Sequence, residues 1–221
     1  MSRVRKQLVV AAVVLASLAA AYGSVLLFAP ESRGRGADAR PAADAEPVRE
    51  SSHRLSDPKR GELTIVEFLD FECEACGAMY PVVERLREEY GDRVTFVARY
   101  FPLPGHRNGE LAARTAEAAA RQGKFKEMYA KLFTTQRDWG EARESKRDTF
   151  RGYAKDLGLD LRAFDAALDD RATARRVATD LSDGLGLDVR GTPTFFVDGE
   201  KVATPGSYAA FKALIEDRLA D

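Results

Sequence analysis

Cys73-Glu-Ala-Cys76 stands directly after the apolar run from Leu63 to Phe71 and contains the only two cysteines of the chain. Two cysteines separated by two residues close a small disulfide ring, and after a strand such a pair reads as a redox motif. Three other readings compete with it: an inert structural bridge, half of a zinc site, and two unrelated buried thiols. A structural zinc site takes four nitrogen or sulfur ligands, and beyond the pair the chain has only His53 and His106, neither at ligand spacing from a cysteine. A bridge across so short a loop removes little entropy from the unfolded chain, so its stabilising effect is small. Reversible thiol–disulfide chemistry accounts for the pair best. It calls for no metal and no organic cofactor, because the redox group is the protein's own disulfide.

The amino terminus sets the expected compartment. Residues 1–7 carry Arg3, Arg5 and Lys6, and the uncharged stretch 8–29 that follows is made almost wholly of Leu, Val and Ala. About 20 such residues span a bilayer. Positive charge ahead of the span places the terminus in the cytoplasm and the remainder outside it. The expectation is a single-pass protein of the cytoplasmic membrane whose carboxy-terminal domain lies in the periplasm or cell envelope. A cleaved signal peptide is the competing reading, but its apolar region usually runs only ~7–15 residues. Ala37-Asp38-Ala39 resembles a cleavage site and lies well beyond the apolar end.

Residues 30–57 are rich in Pro, Ala, Arg, Asp, Glu and Ser, with Val48 and Leu55 as the only larger aliphatic side chains. Such a segment buries too little apolar surface to offset its chain entropy, which predicts a disordered linker with His53 solvated inside it. The stretch from Pro58 onward has the size of one domain with a real core. The net charge is −1, and the first six residues carry three positive charges, so the rest sums to −4. A nucleic-acid partner, which calls for a basic domain, is not indicated.

β-prone residues predict strands at Leu63–Leu69 and Val94–Tyr100, with a helix over Glu74–Tyr90 between them, kinked at Pro81 and ended by Gly91-Asp92. Phe125, Met128, Tyr129, Leu132 and Phe133 recur at helical spacing, and similar stripes run through Phe150 to Leu157, Leu161 to Leu168 and Val177 to Leu185. These faces are core. Trp139, in the polar stretch Gln136 to Gly140, is expected to anchor that loop, and His106 to be a capping or surface residue. Thr194–Val197, the turn Asp198-Gly199 and Lys201–Ala203 predict a hairpin, followed by a helix with Phe211, Leu214, Ile215 and Leu219 on one face. Strands and helices alternating at both ends imply a central sheet covered by helices, with the middle helices forming a cap.

From about Glu62 to Leu219 the chain resembles the thioredoxin fold, and within it the DsbA-like branch, in which helices interrupt the core. The resemblance rests on Phe71-Glu72-Cys73-Glu74-Ala75-Cys76, Pro81, Phe101-Pro102-Leu103, Gly123-Lys124-Phe125 and Gly191-Thr192-Pro193-Thr194-Phe195. It implies an α/β fold with a mixed β-sheet, core residues 58–104 and 189–221, and a helical insert over 105–188. It also implies that Cys73 is the exposed nucleophile, Cys76 the buried resolving thiol and Glu67 a buried acid serving Cys76. Pro193 is then a cis-proline facing the cysteines, with Thr192 shaping substrate contact.

This sequence departs from the resemblance between its cysteines. Glu74-Ala75 replaces the Pro-His common in family oxidases, and Glu74, with Glu72 and Asp70 nearby, is expected to disfavour the Cys73 thiolate by like-charge repulsion. The expected activity is thiol–disulfide exchange with exported proteins. In the oxidative direction it requires reoxidation by a membrane partner, a quinone-coupled protein. The alternatives are a reductase of exported protein disulfides and a non-catalytic peptide-binding module.

Overall fold

The computed structural model describes residues 40–220, so the expected membrane span at 8–29 lies outside them. Five strands form one mixed sheet among the described residues: β1 (His53–Arg54), β2 (Leu63–Leu69), β3 (Val94–Tyr100), β4 (Thr194–Val197) and β5 (Glu200–Val202), in the order β1-β3-β2-β4-β5. β2 and β3 run parallel from the pair Leu63 and Val94 to Leu69 and Tyr100, whereas β1, β4 and β5 are antiparallel to their neighbours. A parallel neighbour needs a crossover, and α1 (Glu74–Tyr90) supplies it. The helix is continuous through Pro81.

β2 is central, and its side chains alternate between two cores. Leu63, Ile65 and Leu69 join a cluster with Val83 and Leu86 of α1 and with Phe211 and Ile215 of α8 (Tyr208–Ala220). Val66 and Phe68 point the other way, toward Val97, Phe101, Val189 and Phe196. Glu67 shares the face of Ile65 and Leu69, the face covered by α1.

Between β3 and β4 lie α2 (Gly109–Ala120), α3 (Phe125–Thr134), α4 (Gln136–Trp139), α5 (Arg147–Asp156), α6 (Leu161–Asp169) and α7 (Arg171–Gly186). The alanines of α2 let its neighbours approach, and Ala112, Ala113, Ala116, Ala118 and Ala119 are all buried. Trp139 closes the short helix α4 rather than lying in a loop. It is fully buried, donates from Nε1 to the Leu132 carbonyl at 3.1 Å, and meets Phe150 edge to face at 4.9 Å.

The expected linker is corrected over its described part, because residues 40–57 form a strap bound to the domain. His53 and Arg54 pair with Ala98 and Val97 of β3, and the Leu55 N–H donates to the Phe96 carbonyl at 2.8 Å. His53 is not solvated: Nε2 lies 2.6 Å from Glu117 Oε2, and its ring stacks on Phe125 at 3.8 Å. The Ala42 N–H donates to the Ser182 carbonyl, and the strap passes so close to Gly186 that a Cβ there would stand 2.5 Å from the Ala42 carbonyl oxygen. What composition misses is that backbone and Arg hydrogen bonds to residues remote in sequence dock this segment, alongside the burial of Leu55 and the packing of Val48.

Candidate active site

Cys73 is the N-cap of α1, with extended backbone (φ −67°, ψ 120°), so the helix begins immediately beyond it. Its N–H donates to the Asp70 carbonyl at 3.1 Å, and its own carbonyl accepts from Gly77 at 3.0 Å. Cys76, one turn inside, is completely buried, whereas Cys73 is 7% exposed. Both are free thiols. Across from them the Thr192–Pro193 peptide bond is cis, and the Cys73 thiol donates to the Thr192 carbonyl at 3.4 Å. The Thr192 hydroxyl is buried with no hydrogen-bond partner, so it remains available to a thiolate at Cys73.

The two thiols are driven apart in acidity. The Cys73 thiol is lowered to about 5, first by its hydrogen bond from the Cys76 side chain, then by Thr192 and by the backbone N–H groups of Cys76 and Ala75. Those N–H groups are the open donors of a helix amino terminus. Cys76 is pushed well above the ordinary thiol value by burial, by its role as donor to Cys73 and by the nearby charge of Glu67. At neutral pH the pair therefore holds one thiolate, at the less buried sulfur.

Glu67 is buried on the α1 face of β2, and burial, followed by the charges of Cys73 and Glu84, raises its carboxyl to about 8. Because the folded value lies above the ordinary one, the neutral carboxyl contributes fully below about 4.5 and its contribution is lost as pH rises through about 8. Glu67→Gln removes this loss, so urea unfolding should show the variant more stable than the native chain by about 2–4 kcal/mol at pH 8 and nearly equal to it at pH 4.5. Parallel pH dependences for the two proteins would contradict the assignment. Tyr129 of α3 also faces this corner: its hydroxyl is buried without a partner, and burial with the charge of Glu67 raises it well above an ordinary phenol.

Glu74 and Ala75 are both exposed at the first turn of α1. The acidic groups around the pair do not act on Cys73 as the sequence suggests. The Glu72 carboxylate turns away and accepts from the N–H groups of Asn108 at 2.6 Å and Glu141 at 3.1 Å. Asp70 is buried and accepts from the Glu72 and Leu103 N–H groups and from His106. The thiolate is therefore favoured rather than disfavoured.

Sequence reasoning missed Gln136 and Gly77. Gln136 Nε2 donates to the carbonyls of Phe71 at 2.7 Å and Cys73 at 2.8 Å, tying the inserted helices to the cysteine loop. Gly77 makes room for it, since a Cβ there would lie 2.0 Å from Gln136 Oε1. A glycine directly after the second cysteine is the available signal, and its meaning depends on a partner far along the chain.

Comparison with known proteins agrees with this fold. The solved structure of BdbD from Bacillus subtilis superposes with a TM-score of 0.70 at 22% identity, covering 82% of this chain and all of that one. That of alpha-DsbA1 from Wolbachia pipientis gives 0.69 at 20% identity, covering 78% of this chain and 93% of that one. At these identities the likeness shows the fold. Curated relatives include a protein named Na(+)/H(+) antiporter NhaA from Herminiimonas arsenicoxydans, 38% identical over 164 residues, and NhaA 3 from Salinispora tropica, 38% identical over 175. These matches cover 74% and 79% of this chain, which spans only about a quarter of either relative's length. The antiporter name describes those longer proteins, and no helix among the described residues is long and apolar enough to cross a membrane. The thioredoxin family profile matches residues 59–217, from the strand that carries Glu67 to the last helix, and the chain belongs to the thioredoxin family.

Proposed function

We propose that the protein is an extracytoplasmic thiol–disulfide oxidoreductase of DsbA-like type, tethered by residues 8–29, that oxidises or exchanges disulfides in exported proteins. The observation that carries this reading is the split acidity of the pair: a thiolate-forming Cys73 at a helix start, backed by a buried Cys76 held as a thiol.

In the oxidative direction a substrate thiolate attacks Cys73 Sγ of the Cys73–Cys76 disulfide, and Cys76 leaves as a thiolate. Glu67, held protonated by burial, returns a proton to Cys76, a reading supported by the influence of Glu67 on the Cys76 thiol. A second substrate thiolate then attacks the substrate sulfur of the mixed disulfide and displaces Cys73, whose enhanced acidity makes it a good leaving group. Two electrons pass from the substrate dithiol to the pair, and of the two protons the dithiol releases one restores Glu67, replacing the proton passed to Cys76, and one goes to solvent. Regeneration requires a partner that removes two electrons, for which a quinone-coupled membrane protein is suited. Thr192 and cis-Pro193 line the approach to Cys73 and offer backbone to an extended substrate.

The test is to mix the oxidised full chain with a reduced peptide that carries two cysteines. Stoichiometric formation of peptide disulfide, matched by two new thiols on the protein, is expected. A peptide that stays reduced while the Cys73–Cys76 disulfide persists would refute the proposal.

A further inference from the structure

Asp70 connects two groups that are distant in sequence. Its carbonyl accepts from the Cys73 N–H at 3.1 Å, and its carboxylate accepts from the Leu103 N–H at 2.8 Å and lies 2.6 Å from His106 Nδ1. The carboxylate is completely buried, whereas the imidazole side chain is 20% exposed and can exchange protons with solvent. His106 is itself fixed, since its N–H donates to the Leu103 carbonyl at 3.0 Å. A buried carboxylate next to a nucleophilic thiolate costs free energy unless a cation faces it.

We infer that His106 is a positioning residue for Cys73: as an imidazolium paired with Asp70 it cancels that carboxylate's charge and supplies the cation that the Glu74-Ala75 spacer lacks. This deepens the oxidoreductase reading and rests on it. Burial opposes charging of the ring, but the Asp70 carboxylate, followed by the Cys73 and Glu72 charges, outweighs it and raises the imidazole above its ordinary value. The charged and titratable groups around the ring are Asp70 and Glu72 on the loop before α1, Cys73 at its head and Arg107 next in the chain. Glu141 and Arg143 lie across a polar cleft lined by Glu72, Gly105 and Arg107.

The coupling is reciprocal: if the imidazolium favours the thiolate, the thiolate must favour the imidazolium. The first test uses the unmodified full chain. It has only two histidines, so the His106 imidazole can be titrated by NMR with the pair reduced and with it oxidised. Its midpoint should fall on oxidation, when the thiolate is lost, and the same midpoint in both states would overturn the inference.

The second test is the rate of Cys73 alkylation by iodoacetamide in the reduced full chain. In His106→Gln, which keeps a hydrogen-bond donor for Asp70 without its charge, the rate at pH 4 should fall about tenfold. The double variant Asp70→Asn/His106→Gln, which removes both charges, should return to within about twofold of native. Equal losses in the single and double variants would show a structural role only, and a native rate in the single variant would show none. Neither readout involves a substrate, so failure of disulfide transfer and failure of this inference are distinguishable.

Discussion

Cys73→Ser is expected to abolish disulfide transfer to a reduced two-cysteine peptide, with a loss of at least about a thousandfold, because no other sulfur at this site forms a thiolate near neutral pH. Serine keeps the N-cap position and is itself a favoured cap, so the fold should survive and the loss be read as chemistry. Cys76→Ser should behave differently. Cys73 remains a thiolate-forming nucleophile but has no resolving partner, so mixed disulfides with substrate proteins accumulate and disappear on treatment with dithiothreitol. In Cys76→Ala, which has no side-chain donor there, the Cys73 thiol should also titrate higher than about 5, since the hydrogen bond from Cys76 is the largest contribution to that value. Alkylation against pH measures this, and an unchanged midpoint would assign the acidity to Thr192 and the helix terminus. Full transfer activity in Cys73→Ser would remove the basis of the proposed function.

The largest expected effect on stability lies on the opposite face of the sheet. Arg99 of β3 is fully buried, with Nε 2.6 Å from Asp180 Oδ1 and Nη2 2.5 Å from Asp183 Oδ2. Its Nη1 donates to the carbonyls of Glu46 and Pro47 in the strap. Arg49 adds a second cation at Asp183, and Arg176 lies 2.5 Å from Asp180 Oδ1. Asp183 is held below the ordinary carboxylate range: burial opposes ionisation, but Arg49 and then Arg99 outweigh it. Arg99→Met leaves two buried carboxylates short of a cation and should cost about 3–5 kcal/mol in urea unfolding at pH 7. Against a typical stability of about 5–15 kcal/mol, that is a large fraction. A cost below about 1 kcal/mol for the single substitution would mean that water reaches these groups.

Much of the frame was legible because it is written in local pattern. β2, α1, β3 and β4 lie where alternation, helical spacing and the Gly91 and Asp198-Gly199 turns place them. The five described strands nevertheless include one that pattern cannot reveal. β1 is two residues long, too short for any period, and exists because His53 and Arg54 find the edge of β3. The strap around it fails the composition argument for the same reason: its anchors are Arg99, Asp183 and Ser182, remote in sequence and invisible to a window.

The site divides in the same way. Cys73 and Cys76 announce themselves by spacing, and Glu67 by a carboxyl inside an apolar strand. Asp70, Glu72 and Glu74 looked alike in the sequence, as acids crowding the thiolate. Their effects differ because Glu72 is bound by Asn108 and Glu141, Asp70 is bound by His106, and Glu74 faces solvent. His106 and Gln136 show no local signal, and their roles come from what the tertiary fold sets beside the cysteine loop.

The most direct test of the central claim is the equilibrium reduction potential of the Cys73–Cys76 pair in the full chain, measured against glutathione at pH 6 and 7. A thiol lowered to about 5 stabilises the reduced form above that pH, which makes the pair more oxidising than thioredoxin. A reversible two-electron couple between about −120 and −270 mV is expected. Because Cys73 is already ionised and Cys76 is not, one proton accompanies two electrons, and the potential should move by about 30 mV per pH unit rather than about 59. A couple below about −300 mV, resistant to glutathione, or no reversible couple at all, would identify the disulfide as structural and contradict the assignment.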